Sequence, residues 1–124
     1  MAIKDVEPRI IGRRLFQDYK IDAPGENTDI LSTALTLSET CNAIRLTICL
    51  SAPSVINVTT TDGTTSFTNG LNESTALNAG DIYSFAFPAI NETAAGLTIS
   101  YNFQVETDSV IRFLVIDEVM GGTL

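Results

Sequence analysis

This chain of 124 residues contains no histidine and no tryptophan, and it has only two cysteines. Without histidine it lacks the commonest general base, the commonest metal ligand and every Ser-His or Cys-His nucleophile pair. Without tryptophan it lacks the Cys…Trp…Cys pattern of immunoglobulin domains. No GxxxxGK[ST] or GxGxxG motif occurs, so phosphate-cradling loops are missing too. Basic residues are scarce: seven Lys and Arg stand against fifteen Asp and Glu, for a net charge of −8. Nucleic acid and anionic membranes both require clustered cations, so neither is an expected partner. Long apolar runs are absent, and none approaches the roughly 20 residues that span a bilayer. The opening MAIKDVEPRIIGRR has no apolar core, so no secretion signal is expected. Cys41 and Cys49 lie about 26 Å apart if the chain between them is extended. That is far beyond the roughly 7 Å a disulfide tolerates, and both read as small buried hydrophobes.

The charge that is present is unevenly spread. Residues 1–20 hold five of the seven basic side chains (Lys4, Arg9, Arg13, Arg14, Lys20) against three acids, net +2. From Ile21 onward only Arg45 and Arg112 oppose twelve carboxylates, net −10. A basic segment on an acidic body points to attachment to an acidic neighbour, either another copy or a different protein.

Beyond the first segment the pattern is alternation. Leu31, Thr33, Leu35 and Leu37 share a parity, and Ile44, Leu46, Ile48 and Leu50 alternate with Ala43, Arg45, Thr47 and Cys49. Val55–Thr60 is β-rich. Asp62-Gly63 then predicts a hairpin through the positive φ angles of a type I′ turn. Tyr83, Phe85 and Phe87 form another alternating run, which Pro88 stops. Leu97, Ile99, Tyr101, Phe103 and Val105 alternate with Thr98, Ser100, Asn102, Gln104 and Glu106. Val110–Val119 is apolar on both parities, which predicts cover on both faces, by the core on one and by the N-terminal segment or a neighbouring subunit on the other. The expected fold is all-β: a jelly-roll-like sandwich of about eight antiparallel strands over residues 28–124, behind an extended N-terminal arm over 1–27. Within the arm, Ile10, Ile11, Leu15, Phe16 and Tyr19 fit either one short amphipathic turn, near Gly12–Tyr19, or an extended apolar strip. The expected core is Ile44, Leu46, Ile48, Phe85, Ile99, Tyr101, Phe103 and Phe113.

Carboxylate pairs are the remaining route to catalysis. Asp117 and Glu118 are adjacent in a strand and face opposite ways, so they cannot converge on one substrate. The acids read as solvated strand ends and loops, with no catalytic residue among them. Asp22, Glu26 and Asp29, and separately Glu106 and Asp108, supply oxygens suited to Ca²⁺, but neither set has an EF-hand spacing, so no metal or other cofactor is expected. Asn57, Asn72 and Asn91 head Asn-x-Ser/Thr triplets and read as turn and strand-surface residues.

The constellation that carries a functional expectation is Arg9, Ile10, Ile11, Arg13, Arg14, Leu15 and Phe16. Its apolar side chains offer buried area, and its arginines offer bidentate contacts to carboxylates. Docking on another subunit, with backbone pairing to a sheet edge, is the reading preferred here over a strand folded onto its own domain.

Five stretches carry a resemblance: Ala23-Pro-Gly-Glu-Asn-Thr-Asp-Ile30, Ala43-Ile-Arg-Leu-Thr-Ile48, Leu77-Asn-Ala-Gly-Asp-Ile-Tyr-Ser-Phe85, Tyr101-Asn-Phe-Gln-Val105 and Ile111-Arg-Phe-Leu-Val-Ile-Asp-Glu-Val119. In layout and strand phrasing the chain resembles the capsid decoration, or cement, proteins of tailed bacterial and archaeal viruses. The resemblance implies a non-enzymatic homo-oligomer, often a trimer, on the exterior of a virion. There it would reinforce a lattice of major capsid protein with its arms. The rivals are a subunit of an extracellular fibre or tube polymerised by strand donation and, behind it, a carbohydrate-binding module. The last would need an exposed Tyr or Trp platform, whereas Tyr83 and Tyr101 are at core parity.

Overall fold

The alternating segments become strands. The computed structural model describes residues 10–18, 25–38, 41–108 and 110–120, with the first four of these, Cys41 and Met120 as backbone only. The described residues form β1 (Ile10–Asp18), β2 (Leu35–Thr36), β3 (Cys41–Leu50), β4 (Ile56–Thr61), β5 (Ser66–Gly70), β6 (Ile82–Pro88), β7 (Ser100–Val105) and β8 (Ile111–Met120). A 3₁₀ turn, Asn72–Ser74, lies between β5 and β6.

Every named pairing is antiparallel, in two four-stranded sheets ordered β1-β8-β3-β6 and β2-β7-β4-β5. That interleaving of early and late strands builds a two-sheet β-sandwich. Between the sheets, Ile44, Leu46 and Ile48 of β3 meet Ile56 and Val58 of β4, Tyr101, Phe103 and Val105 of β7, and Leu114 and Ile116 of β8. Each such large side chain contributes on the order of 1.5–3 kcal/mol by leaving water.

Six of the eight expected core residues are buried; Phe85 and Phe113 are half-buried. Phe85 belongs to β6, an edge strand whose inner face is incompletely covered. Phe113 stands opposite Cys49 and shares the parity of Val115, on the outer face of the first sheet.

Three local expectations are settled. Of the two readings of the arm, Gly12–Asp18 takes the extended one, because β8, apolar on both parities, takes β1 as a hydrogen-bonded neighbour. Between Leu31 and Leu37 only Leu35–Thr36 forms a ladder. Earlier in that stretch the backbone is held by β7 differently: Ile30 N–H donates to the Phe103 carbonyl, and Leu31 is held by a side chain. The Asp62-Gly63 hairpin is present but has a four-residue connection, Asp62–Thr65, in which Gly63 (φ 94°) takes the positive angle while Asp62 does not. The Asp62 carboxylate instead closes the turn, accepting from the amides of Thr64 and Thr65 at 2.8 Å each.

Candidate docking surface

Of the residues expected to bind a partner, Arg9 lies outside the described residues, and Ile10, Ile11 and Arg13 are placed as β1 backbone only. Ile10 stands opposite Met120 and Ile11 opposite Val119. Leu15 and Phe16 are half-buried and pack against the core of their own chain. Arg14 is 47% exposed and donates from Nε to Asp117, which is itself 1% exposed; its guanidinium also donates to Gln17. The structure thus brings Arg14, Leu15 and Phe16 together on β1 and turns all three toward β8 and the sandwich.

Asp117 is the electrostatic centre of this edge. Arg14 and Arg45 stand on either side of it in register, from β1 and β3. Arg45 Nη2 donates to Oδ2 at 3.3 Å, while Arg45 Nε is buried with no hydrogen-bond partner among the described residues. Glu118, on the opposite parity, accepts from the Ser38 amide at 2.8 Å and the Ser38 hydroxyl at 2.9 Å. The expectation that these two acids are solvated is therefore corrected. Each is buried, because β8 lies inside the sheet and each carboxylate is met by donors on its own side.

The polar face of the second sheet is organised by two amides. Asn102 is buried and clamps one residue of the 25–34 segment: its Oδ1 accepts from the Leu31 amide, and its Nδ2 donates to the Leu31 carbonyl, both at 3.0 Å. Gln104 donates to Asp29 at 2.7 Å and accepts from the Thr59 hydroxyl at 3.0 Å. Beside them Asn57 donates to Glu106 at 3.0 Å. A cleft of about 260 Å³ follows, lined by Asn27, Asp29, Asn57, Thr59, Thr68 and Gln104. Of the acids considered for Ca²⁺, Asp29 lines this cleft, while Glu106 only accepts from Asn57 of its lining. Asp22 is outside the described residues, and among those described no group of three or more His, Cys, Asp or Glu side chains is arranged to hold a metal ion.

Opposite the β1–β2 side, the sandwich ends at β5 and β6. Phe67 of β5 is 64% exposed although it shares the inward parity of Thr60. Tyr83 and Phe85 of β6 stack with ring centroids 6.1 Å apart, and Phe87 meets Phe103 edge-on at 6.3 Å. All three β6 aromatics are half-buried. Sequence parity placed these rings inward correctly. It did not reveal that the facing strands stop there, so the rings form a partly uncovered side.

The connection between β5 and β6 is strained. Asn72, Glu73 and Ser74 have φ of 56°, 55° and 60°, a left-handed turn built without glycine. Gly70 makes room for it: a Cβ there would lie 2.2 Å from Ser74 Oγ and 2.9 Å from Ser74 Cα.

No protein-family description matches the chain, and neither a characterised protein nor a solved structure is similar to it.

Proposed function

We propose that this chain is a non-enzymatic structural protein of a virion, a decoration protein that sits as a homo-oligomer on a lattice of major capsid protein and reinforces it by reaching neighbours with its N-terminal segment. The observation that carries this reading is the exit of β1. Ile10 lies opposite Met120 at the end of an edge strand, and it belongs to the opening segment 1–20, which is net +2 in a chain whose remainder is net −10. A net basic opening segment on an acidic sandwich suits attachment better than it suits catalysis. Jelly rolls recur among viral capsid proteins and lectins alike, so the architecture permits this reading without selecting it.

The test is co-sedimentation with the virion or emptied capsid it belongs to. Unaltered protein should pellet with particles, and Lys4→Glu with Arg9→Glu should weaken that binding and flatten its salt dependence. Absence of the unaltered protein from particles would refute the assignment. A second reading, a fibre subunit polymerised by strand donation, draws on the regular edges of β5 and β6. It requires filaments from purified protein alone.

A further inference from the structure

Asn57 and Thr59 alternate with the buried Ile56 and Val58, so the cleft they line opens on the outer face of the second sheet. Its lining is polar throughout, and a directed chain of hydrogen bonds runs through it. Thr59 gives its single hydroxyl proton to Gln104 Oε1 at 3.0 Å, so Thr68 is the donor in the 3.0 Å contact between the two hydroxyls. Gln104 Nε2 donates in turn to Asp29 Oδ1 at 2.7 Å. Each group is thereby oriented, and each keeps capacity to spare among the described residues. Asp29 Oδ2, Asn57 Oδ1 and Thr68 Oγ can still accept, and Gln104 and Asn57 each retain a second amide proton to donate.

Asn27 is a second, independent sign. It stands in the turn 25–28, which Thr28 N–H closes on the Gly25 carbonyl at 3.2 Å and Asn27 N–H ties to the Val105 carbonyl at 2.7 Å. Its φ is 54°, a conformation that favours glycine. It lines the cleft, and its side-chain amide has no hydrogen bond among the described residues. Glycine would make the same turn with less backbone strain. What asparagine adds is a donor and an acceptor at the cleft.

The lining selects a class of ligand. It contains no Lys or Arg, and its one carboxylate repels anions. One carboxylate is too few for a tight Ca²⁺ site. It has no aliphatic or aromatic residue to receive an apolar molecule. The complementary ligand is neutral and dense in groups that both donate and accept, which is the chemistry of sugar hydroxyls. A volume of about 260 Å³ falls below the roughly 300–1,000 Å³ of sites for drug-sized molecules, the scale of a single ring.

We propose that this cleft binds one neutral hexopyranose unit, through hydroxyls bonded to Asn27, Asp29, Asn57 and Gln104. The inference goes beyond the attachment reading and does not depend on it. It differs from the platform type of carbohydrate module, since no ring stacks on the sugar. A few neutral hydrogen bonds at an open cleft give weak affinity, about millimolar.

The test is a titration of the isotope-labelled, full-length protein read by amide chemical shifts. The probes are the methyl α- and β-glycosides of glucose, galactose, mannose and N-acetylglucosamine, the corresponding free sugars, calcium chloride and inorganic phosphate. At least one sugar, at up to about 50 mM, should shift the amides of Asn27, Asn57, Thr59, Thr68 and Gln104 saturably, and neither ion should do so. Preference for one glycoside anomer marks a glycan terminus as the source and preference for the reducing sugar a free monosaccharide; either supports the assignment. Asn27→Gly suits the turn and removes only the amide, and Thr68→Val suits a strand and breaks the hydroxyl chain. Each should weaken binding about fivefold, the scale of one neutral hydrogen bond, with the circular-dichroism spectrum unchanged. If no sugar shifts the cleft amides, the cleft holds only water and the proposal falls. It falls equally if the shifts lie elsewhere, if both variants bind as the unaltered protein does, or if phosphate or calcium takes the site.

Discussion

Whether β1 is a fixed part of the sandwich turns on Asp117, and its replacement by Asn is the most informative single change. The carboxylate is 1% exposed and accepts from Arg14 Nε and Arg45 Nη2, whereas the two arginine side chains are 47% and 39% exposed. Asn keeps one acceptor oxygen and removes the charge, leaving two guanidinium groups facing each other across a neutral amide. Removing one partner from a fully buried pair costs about 3–5 kcal/mol. An exposed pair is worth about 0–1 kcal/mol. With one partner buried and two half-solvated, the loss should fall between these, at about 2 kcal/mol. Urea unfolding followed by tyrosine fluorescence or circular dichroism would show this as a midpoint lowered by about 1 M. A double-mutant cycle with Arg14→Gln should return a coupling of about 1 kcal/mol. More than half of that coupling should survive in about 0.5 M salt, since a buried carboxylate is screened less than a surface one. If Asp117→Asn leaves stability unchanged and the cycle shows no coupling, the ion pair does not hold β1 to β8 and the reasoning fails.

Other expectations are narrower. Asn102→Ala strips the Leu31 amide and carbonyl of their buried partners and should cost about 2–3 kcal/mol, with hydrogen exchange rising at Leu31 and Ile30 before the β3 amides; a loss under about 0.5 kcal/mol would contradict the clamp. The amides of Thr65 and Thr64 hold the Asp62 carboxyl below its ordinary value of 3.8. The charged form therefore adds stability that is present above that value and lost as pH falls through the lowered one. The melting gap between the unaltered protein and Asp62→Asn should be open near about pH 6 and narrow as pH falls below 3.8, and a gap independent of pH would refute this. Gly70→Ala should cost about 1–3 kcal/mol through collision with Ser74, and adding Ser74→Gly should recover part of it. A neutral Gly70→Ala would show that the left-handed turn yields easily.

Strict alternation made the strands legible, because a half-buried strand writes its burial into every second residue: Ile44, Leu46 and Ile48 on β3, and Tyr101, Phe103 and Val105 on β7, are buried as expected. The same rule misread the other parity of β7. Asn102 and Gln104 look like solvent-facing polar residues, yet both are buried, because the 25–34 segment folds over them and their amides satisfy its backbone and Asp29. The usable signal was their chemistry. Two amides on one strand, each able to donate and accept at once, suit clamping a backbone better than the Ser and Thr around them. Asp117 and Glu118 were misplaced for a related reason. Charge normally reports exposure, but in β8 it reports donors arriving from Arg14, Arg45 and Ser38, residues distant in sequence. The N-terminal constellation read correctly as apolar and basic. Its pairing with a strand about a hundred residues away is a long-range choice that local pattern does not encode.

That pairing has a kinetic side. β1 is the first strand to leave the ribosome and β8 the last, so the opening residues must wait for the whole domain before their hydrogen-bond partner exists. Topologies dominated by such end-to-end closure fold in roughly milliseconds to seconds rather than microseconds. During that interval the nascent β8 edge accepts any β1, including one from a neighbouring chain. Refolding at high protein concentration should therefore yield strand-exchanged species that dilute refolding does not. If the mass distribution is the same at both concentrations, closure of β1 on β8 is faster than encounter between chains.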